Sequence, residues 1–415
     1  MKTKHVCLVT PGHLSTNPRL VKEADALVGA GYQVTVIASR FIEWADAADS
    51  EFDSRPWAVH KVAFGRLAGR RTHAMQKLGQ LVASSTYRST GLCADRAFHP
   101  VVPALIRAAC AVQADLYIAH NLAALPAAAA AAKMYGAKLG FDAEDFHRGE
   151  FHSEETHDLS LQLTGLLENR YIPGCEHLTA ASPGIAEAYE KACGVNQPAV
   201  ILNVFPKTEA PPNFTPRGTA DADRTVYWFS QSIGPDRGLE TAVRAIAATR
   251  TRPLLVLRGA PRPGYRNFLV TLAQQFGVAD RLRFLEPIAP HEMLTQASLY
   301  DLGLASEVAS TVNRDICLTN KIFTYVQAGL PVLASATRAQ SQLARNLEGA
   351  MFVYPPTEEE CLAGHIDALL TSPELLARAR QTSFELGQTR FNWQVEQQAY
   401  LNLIASCLDQ KRCAH

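Results

Sequence analysis

The chain has 415 residues, a length that two domains of roughly 200 residues divide naturally. Hydrophobic residues make up 47% and charged ones 19%, which excludes a disordered chain, and 40 basic against 40 acidic residues leave no net field to hold nucleic acid. Nine cysteines with no CxxC pair and no histidine cluster argue against a structural zinc, and for reduced thiols in a cytoplasmic protein.

The opening MKTKHVCLVTPG runs into a strand pattern without the apolar core of a signal peptide. HVCLVT (5–10) ends in the loop PGHLST, after which Asn17 reads as an N-cap and Pro18 as a first helical residue. Leu20, Val21, Ala24, Leu27 and Val28 recur at helical spacing, Gly31 is a stop, and QVTVIAS resumes as a strand. Strand, loop, helix, strand is the opening unit of a parallel α/β sheet.

Between Ser54 and Ala94 there is no Asp or Glu but seven Lys or Arg, at 55, 61, 66, 70, 71, 77 and 88. Met75, Leu78, Leu81 and Val82 add a partly apolar helical stripe. The segment reads either as a basic surface helix or as a contact for an anionic lipid surface or a lipid-diphosphate acceptor.

The α/β grammar then repeats. DLYIAH (115–120) leads into an alanine-rich helix, Gly136 and the strand near AKLGFDAED, and the apolar run at 123–134 is too short to span a bilayer. HLTAAS (177–182) precedes Pro183 and the helix GIAEAYEKAC, and AVILNVF (199–205) closes the half. Residues 207–224, rich in Pro, Gly and polar groups, are the best linker. A second half opens with TVYWFS, the loop QSIGPDRG, the helix LETAVRAIAA and the strand PLLVLRG, and an amphipathic helix is predicted over 392–408. Two such halves predict two doubly wound Rossmann-like domains, whose ligand lies outside the carboxyl ends of the strands, in an interdomain cleft.

Two segments could carry chemistry. In LTNKIFTYVQAGLPVLAS, Asn320 is the expected N-cap, with Gly329 and Pro331 ending the helix. Asn320, Thr324 and Gln327 form a polar stripe, and Lys321 adds a cation to a helix start that favours anions. A solvated face with an N-cap explains the same spacing. In GPDRGLE, Gly234 and Gly238 allow tight turns and Arg237 stands where it would fork onto a phosphate, although a lone Arg at a helix start is also an ordinary exposed charge.

These segments together resemble a nucleotide-sugar glycosyltransferase of the two-Rossmann GT-B type, closest to family 4, whose members retain anomeric configuration. The resemblance covers nearly the whole chain, through STNPRLVKEADALVGAGYQVTVI, DLYIAHNLAALPAA, KLGFDAEDFHRGE, DRGLETAVRAI, NKIFTYVQAGLPVLAS and RFNWQVEQQ. It implies an acceptor domain over 1–206, completed by a C-terminal helix at about 392–415 that crosses back to it, and a donor domain over 225–391. It further implies that Arg237 and Lys321 meet the diphosphate beside Asn320, near Gly234, with Arg258, Arg262 or Arg266 as a second source of charge. Fixed cations and helix N–H groups then stabilise the leaving nucleotide, so no metal and no cofactor are expected. Asp221 and Asp223 form a DxD in the linker and read as solvated charge.

On the acceptor side Gly12, His13, Ser15, Asn17 and Arg19 are expected to face the cleft. By resemblance His120 contacts the reacting sugar. A retaining enzyme needs no dedicated base, and for an inverting one Asp142, Glu144 or Asp145 is the candidate. The chain departs from family 4 where a Glu-x7-Glu pair usually stands, having Ile316 and Thr324 instead, and Glu307 is a possible substitute. The expected function is transfer of a sugar, with retention, from a nucleoside diphosphate to a saccharide or lipid-linked acceptor in polysaccharide or glycoconjugate biosynthesis, in the cytoplasm, free or peripheral on the inner face of the membrane. The alternatives are a non-catalytic subunit of the same fold or a sugar-nucleotide epimerase.

Overall fold

The protein is described by a computed structural model over residues 3–152, 158–211 and 223–409. Its contacts divide into two compact units, one of Met1–Ile201 with Gln397–His415 and the other of Leu202–Glu396.

The first unit is built on His5–Thr10 (β1), Gln33–Arg40 (β2), Ala58–Ala63 (β3), Leu116–His120 (β4), Lys138–Ala143 (β5), His177–Ala180 (β6) and Ala199–Val200 (β7). These strands are parallel, in the order β3-β2-β1-β4-β5-β6-β7. Helices cover both faces, so the central strands are near-continuous apolar runs; Val6, Cys7, Leu8 and Val9 are fully buried. The helix Pro18–Gly29 starts as expected, with the Asn17 side chain accepting from Leu20 N at 3.1 Å and Pro18 in the first turn. Ala127, Ala128 and Ala131 are fully buried on the helix Leu125–Tyr135, where small side chains let it lie close against the sheet.

The second unit holds Thr225–Ile233 (β8), Leu254–Pro261 (β9), Leu282–Leu285 (β10), Leu302–Ala305 (β11), Val332–Ser335 (β12) and Met351–Tyr354 (β13), again parallel, in the order β10-β9-β8-β11-β12-β13. The helix Asn320–Gln327 lies over β11 because Gly303 leaves room for the Tyr325 ring; a Cβ there would stand 2.3 Å from it. The Tyr325 hydroxyl then donates to Leu304 O at 3.1 Å.

In each sheet the strand order reverses once, between β1 and β4 in the first unit and between β8 and β11 in the second. The loops after those four strands are therefore the natural ligand positions of each unit. They contain Gly12, His13 and Ser15 after β1, Gly234 and Arg237 after β8 and Glu307 after β11, whereas Asp142, Glu144 and Asp145 lie at the end of β5 and Lys321 in the helix Asn320–Gln327.

Three expectations about elements need correction. AVILNVF pairs as a strand only at Ala199–Val200, because Phe205 bonds instead to the Gln327 side chain through both its N–H (3.0 Å) and its carbonyl (2.9 Å). Those bonds, with Leu202 N donating to Glu396, tie the chain after Ile201 to the second unit, whereas the expected boundary was 206. Asn320 is the first helical residue and Thr319 is the N-cap. The linker core, 212–222, lies outside the described residues, and with it Asp221 of the DxD; Asp223 pairs with Arg281 at 3.0 Å. The helix Trp393–Asp409 forms as expected and belongs to the first unit from Gln397 onward. Among the described residues no helix is long and apolar enough to cross a membrane.

Candidate functional site

At the β1/β4 switch of the first unit the sequence assembles a buried charge cluster. Arg19 Nε and NH2 donate to Asp142 Oδ2 and Oδ1 at 2.6 and 2.7 Å, and NH1 donates to Ile201 O at 2.7 Å. Thr179 Oγ1 also donates to Asp142 Oδ1, at 2.6 Å. One helical turn on, Glu23 approaches Arg19 at 3.5 Å, and His120 sits between Glu23 (3.2 Å) and Asp142 (3.4 Å). Burial alone would push the His120 imidazole towards its neutral form, but Glu23 and Asp142 overcome this and raise it to about 10. Burial would likewise raise the Asp142 carboxyl, yet Arg19 and His120 hold it well below the usual range. Two cations and two anions then sum to zero, which is how four charges are tolerated in one interior. Donor atoms of Glu23, His120 and Asp142 lie within 4.8 Å of one another, a spacing a metal would accept, and the Arg19 guanidinium pairs with two of the three.

The expected acceptor-side residues divide sharply. Glu144 follows β5, is partly open to solvent (34%) and stands 4.0 Å from His120 Nδ1. Burial and the neighbouring Asp142 charge raise its carboxyl to about 7. Asp145 is half-buried, with its carbonyl accepting from Tyr189 at 3.1 Å. His120 and Asp142 are buried; Asp142 is hydrogen-bonded by Arg19 and Thr179, whereas the two His120 ring nitrogens lie beside Glu23 and Asp142 without a hydrogen-bond partner among the described residues. His13 is also fully buried: Nε2 accepts from Phe41 N and Ile42 N at 2.9 and 3.0 Å. Its proton therefore sits on Nδ1 and goes to Asp49 Oδ2 at 2.9 Å. Asn17 caps a helix, Arg19 is spent on Asp142, and Ser15 donates from N to Asp49 (2.7 Å) and from Oγ to Ala45 O (3.2 Å). The expectation that these side chains face a ligand is corrected: they hold the loop that carries Gly12.

Sequence reasoning missed Glu23, Thr179 and Tyr400. Tyr400, on the helix Trp393–Asp409, packs edge-on against His177 at 5.8 Å. Burial, then Glu23 and Asp142, keep its hydroxyl protonated. One signal for Glu23 was available, since it shares a helix face with Leu20, Ala24 and Leu27 and lies four residues from Arg19.

At the β8/β11 switch of the second unit, two cations from different segments meet one carboxylate. Lys321 Nζ lies 2.6 Å from Glu307 Oε1 and Arg237 NH1 lies 3.8 Å from Glu307 Oε2. Glu307 is held by Ser335, whose Oγ accepts from Glu307 N and donates to Glu307 O, both at 2.7 Å. Ser306 Oγ donates to Arg237 O at 2.7 Å, and Gly238 is required there: its φ is 65° and a Cβ would meet Ser306 Cβ at 3.0 Å. Gly234 makes room for the Arg262 side chain, 2.8 Å from where a Cβ would stand, and Arg262 is exposed. Arg258 is buried and donates to Tyr227 (2.9 Å) and Glu286 O (2.9 Å), while Arg266 lies over the Phe284 ring at 4.9 Å. Of the three arginines offered as a second cation, Arg262 and Arg266 are both exposed and neither has an ion pair among the described residues, whereas Arg258 is buried.

The polar stripe of the helix Asn320–Gln327 is also corrected. Lys321 through Gln327 are all buried. Thr324 has no exposure and its hydroxyl donates to Asn320 O at 3.0 Å, while Gln327 holds Phe205. Lys321, at the helix start, is buried above the Trp228 ring at 5.6 Å and paired with Glu307. The Thr319 hydroxyl beside it is buried without a partner.

No family model and no curated protein matches the sequence. Solved structures do match. HepE from Anabaena, determined in complex with UDP, superposes with a TM-score of 0.71 over 97% of this chain and 100% of that one, at 18% identity. Sucrose-phosphate synthase from Thermosynechococcus elongatus gives 0.71 over 97% and 100% at 15% identity. A glycosyltransferase from Rickettsia africae gives 0.70 over 99% and 100% at 12% identity. The fold is GT-B. In GT-B terms the first unit carries the buried Arg19–Asp142–His120–Glu23 cluster and the second carries the Arg237–Glu307–Lys321 cluster, each at its own switch point.

Proposed function

We propose that the protein is a glycosyltransferase that moves a sugar from a nucleoside-diphosphate donor to a saccharide or lipid-linked acceptor. The observation that carries this reading is the convergence of Arg237 and Lys321 on Glu307, at a helix start beside the carboxyl ends of β8 and β11. Two cations at a helix start are what a departing diphosphate needs, and they supply its charge without calling on a metal ion. HepE, of the same fold, binds UDP, which supports the class of donor. On the first unit, Glu144 is the carboxyl with solvent access and a value near neutrality, suited to take the acceptor proton if transfer inverts the anomeric carbon, a retaining transfer needing no such base. His120, held as an imidazolium, acts on Glu144 through charge and position.

A thermal-shift screen of UDP-, GDP-, ADP-, dTDP- and CMP-sugars tests the donor site, since a ligand that binds the folded state raises the unfolding midpoint. The reading expects a shift with at least one diphosphate sugar and none with CMP-sugars, which have one phosphate. A flat response to all five classes removes its basis.

The second reading is a non-catalytic subunit that binds a sugar nucleotide or a partner transferase. It is favoured by one observation: the positions of the family's paired glutamates hold Ile316 and the buried Thr324, so no carboxylate stands there. Nucleotide release from the bound donor in the presence of acceptor extracts separates the two, because only the transferase releases it.

A further inference from the structure

The helix Arg70–Thr90 is folded inside out. Of its 21 residues only Ala83 is buried. Two of its polar side chains face the protein: Gln76 Oε1 accepts from Gly65 N at 3.1 Å and Gln80 Nε2 donates to Ala97 O at 3.2 Å. The Arg96 guanidinium occupies the space over Gly79, with NH2 1.9 Å from where a Cβ would stand. Its large apolar side chains point outward instead, with Met75 72%, Leu78 62%, Leu81 69% and Val82 58% exposed. At 3.6 residues per turn these four fall within about 120° of the helix circumference, a continuous apolar band. Four large side chains left in water on one face call for something to cover them.

Charge says what. Arg70, Lys77 and Arg88 line one flank of the band and Arg71 sits within it, all exposed. Among the described residues none of the four has an ion pair, whereas Arg55 and Lys61 of the same stretch are neutralised by Asp25 and Asp53. No acidic residue occurs from Ser54 to Ala94. A second copy of this face would bring like charges together. An apolar band with cations along its edge instead matches a headgroup layer, where the band enters the acyl boundary and the long basic side chains reach the phosphates. We propose that this helix docks the protein on an anionic phospholipid surface. The inference goes beyond the proposed reaction and does not depend on it, because binding is read without turnover.

The test is flotation of the full chain with vesicles of phosphatidylcholine alone and of phosphatidylcholine mixed with phosphatidylglycerol. Binding is expected on the mixed vesicles, weaker on the neutral ones, and released as salt rises. Arg70→Gln, Arg71→Gln, Lys77→Gln and Arg88→Gln should each lower partitioning by about fivefold, and Leu78→Gln with Leu81→Gln by roughly tenfold or more. All six positions are exposed, so an unchanged unfolding midpoint confirms that the variants fold. Equal partitioning into both vesicle types, no binding to either, or variants that bind like the parent overturn the proposal. So does a concentration-dependent dimer that Leu78→Gln and Leu81→Gln abolish, which would assign the band to a second copy.

Discussion

Arg19 and Asp142 meet through two parallel hydrogen bonds of 2.6 and 2.7 Å, and both side chains are 1% exposed. The pair joins the helix after β1 to the end of β5, and Glu23 and His120 complete its charge balance. Removing one partner leaves a charge buried with nothing to neutralise it, which typically costs about 3–5 kcal/mol. Arg19→Ala and Asp142→Ala are each expected to lower stability by that order in urea unfolding. The double change Arg19→Met with Asp142→Leu should cost less than either single one. Additive losses would mean the two side chains do not act as a pair.

His120 sets a pH dependence whose sign follows from its raised value. The folded imidazole holds its proton to about pH 10, whereas an unfolded histidine releases it near 6.5. Its stabilisation is complete below about pH 6.5 and is lost as the pH climbs to about 10. Asp142, with its carboxyl held low, contributes in the opposite sense: its share is present above about pH 4 and fades on acidification. Urea midpoints measured from pH 6 to 10 should fall in the parent protein and fall less in His120→Gln. Parallel curves for the two proteins would refute the ion-paired histidine.

Glu144 differs from Asp142 in having solvent access and a value raised to about 7. If it takes the acceptor proton, the rate rises with pH through about 7 as the carboxylate forms. Glu144→Gln should reduce kcat by about 10²-fold or more, the usual worth of such a group, and leave nucleotide affinity alone. A pH profile unchanged by that substitution excludes the role.

Arg237 and Lys321 are each expected to contribute a charge-assisted bond to a diphosphate, worth about 1.5–3 kcal/mol. Arg237→Ala should therefore weaken nucleotide binding by roughly 10- to 150-fold in calorimetry. Lys321→Ala also strands Glu307, so it should be measured together with Glu307→Gln, which removes the orphaned charge. Parent affinity in both backgrounds would place the diphosphate elsewhere.

Thr324 donates its hydroxyl within its own helix and is fully buried. Thr324→Val keeps the shape and loses a single local bond, so nucleotide affinity should change by less than about threefold. A tenfold loss would show that the hydroxyl turns to the ribose when nucleotide binds.

Most strands and several helix ends were legible in the sequence, because they depend on neighbours in the chain. Asn17 with Pro18, the stops at Gly31 and Gly136, and the apolar runs of β1, β4 and β8 all follow from local sterics and period. The Ala199–Val200 strand was overestimated because Phe205 finds its partners 122 residues away, at Gln327. Pattern reading picked out residues that the fold brings into two clusters, but not the commitments within them. His13 looked like a ligand group and is bound to Asp49 and two backbone N–H groups. The stripe at Thr324 and Gln327 looked solvated because a helical wheel does not say what packs on each side.

The sequence alone determined two parallel α/β halves and placed basic and acidic residues after the strands, since periodicity and capping act over a few residues. The tertiary structure decided which charges are spent internally. Arg19, Asp142, His120 and Glu23 neutralise one another because β1, β4 and β5 lie side by side, a consequence of strand order that no local pattern encodes. The same holds for the outward face of Arg70–Thr90. Its composition was visible, but only the bonds of Gln76 and Gln80 fixed which side meets solvent. Burial is a property of the packed chain, and it determines which polar residues stay free to act.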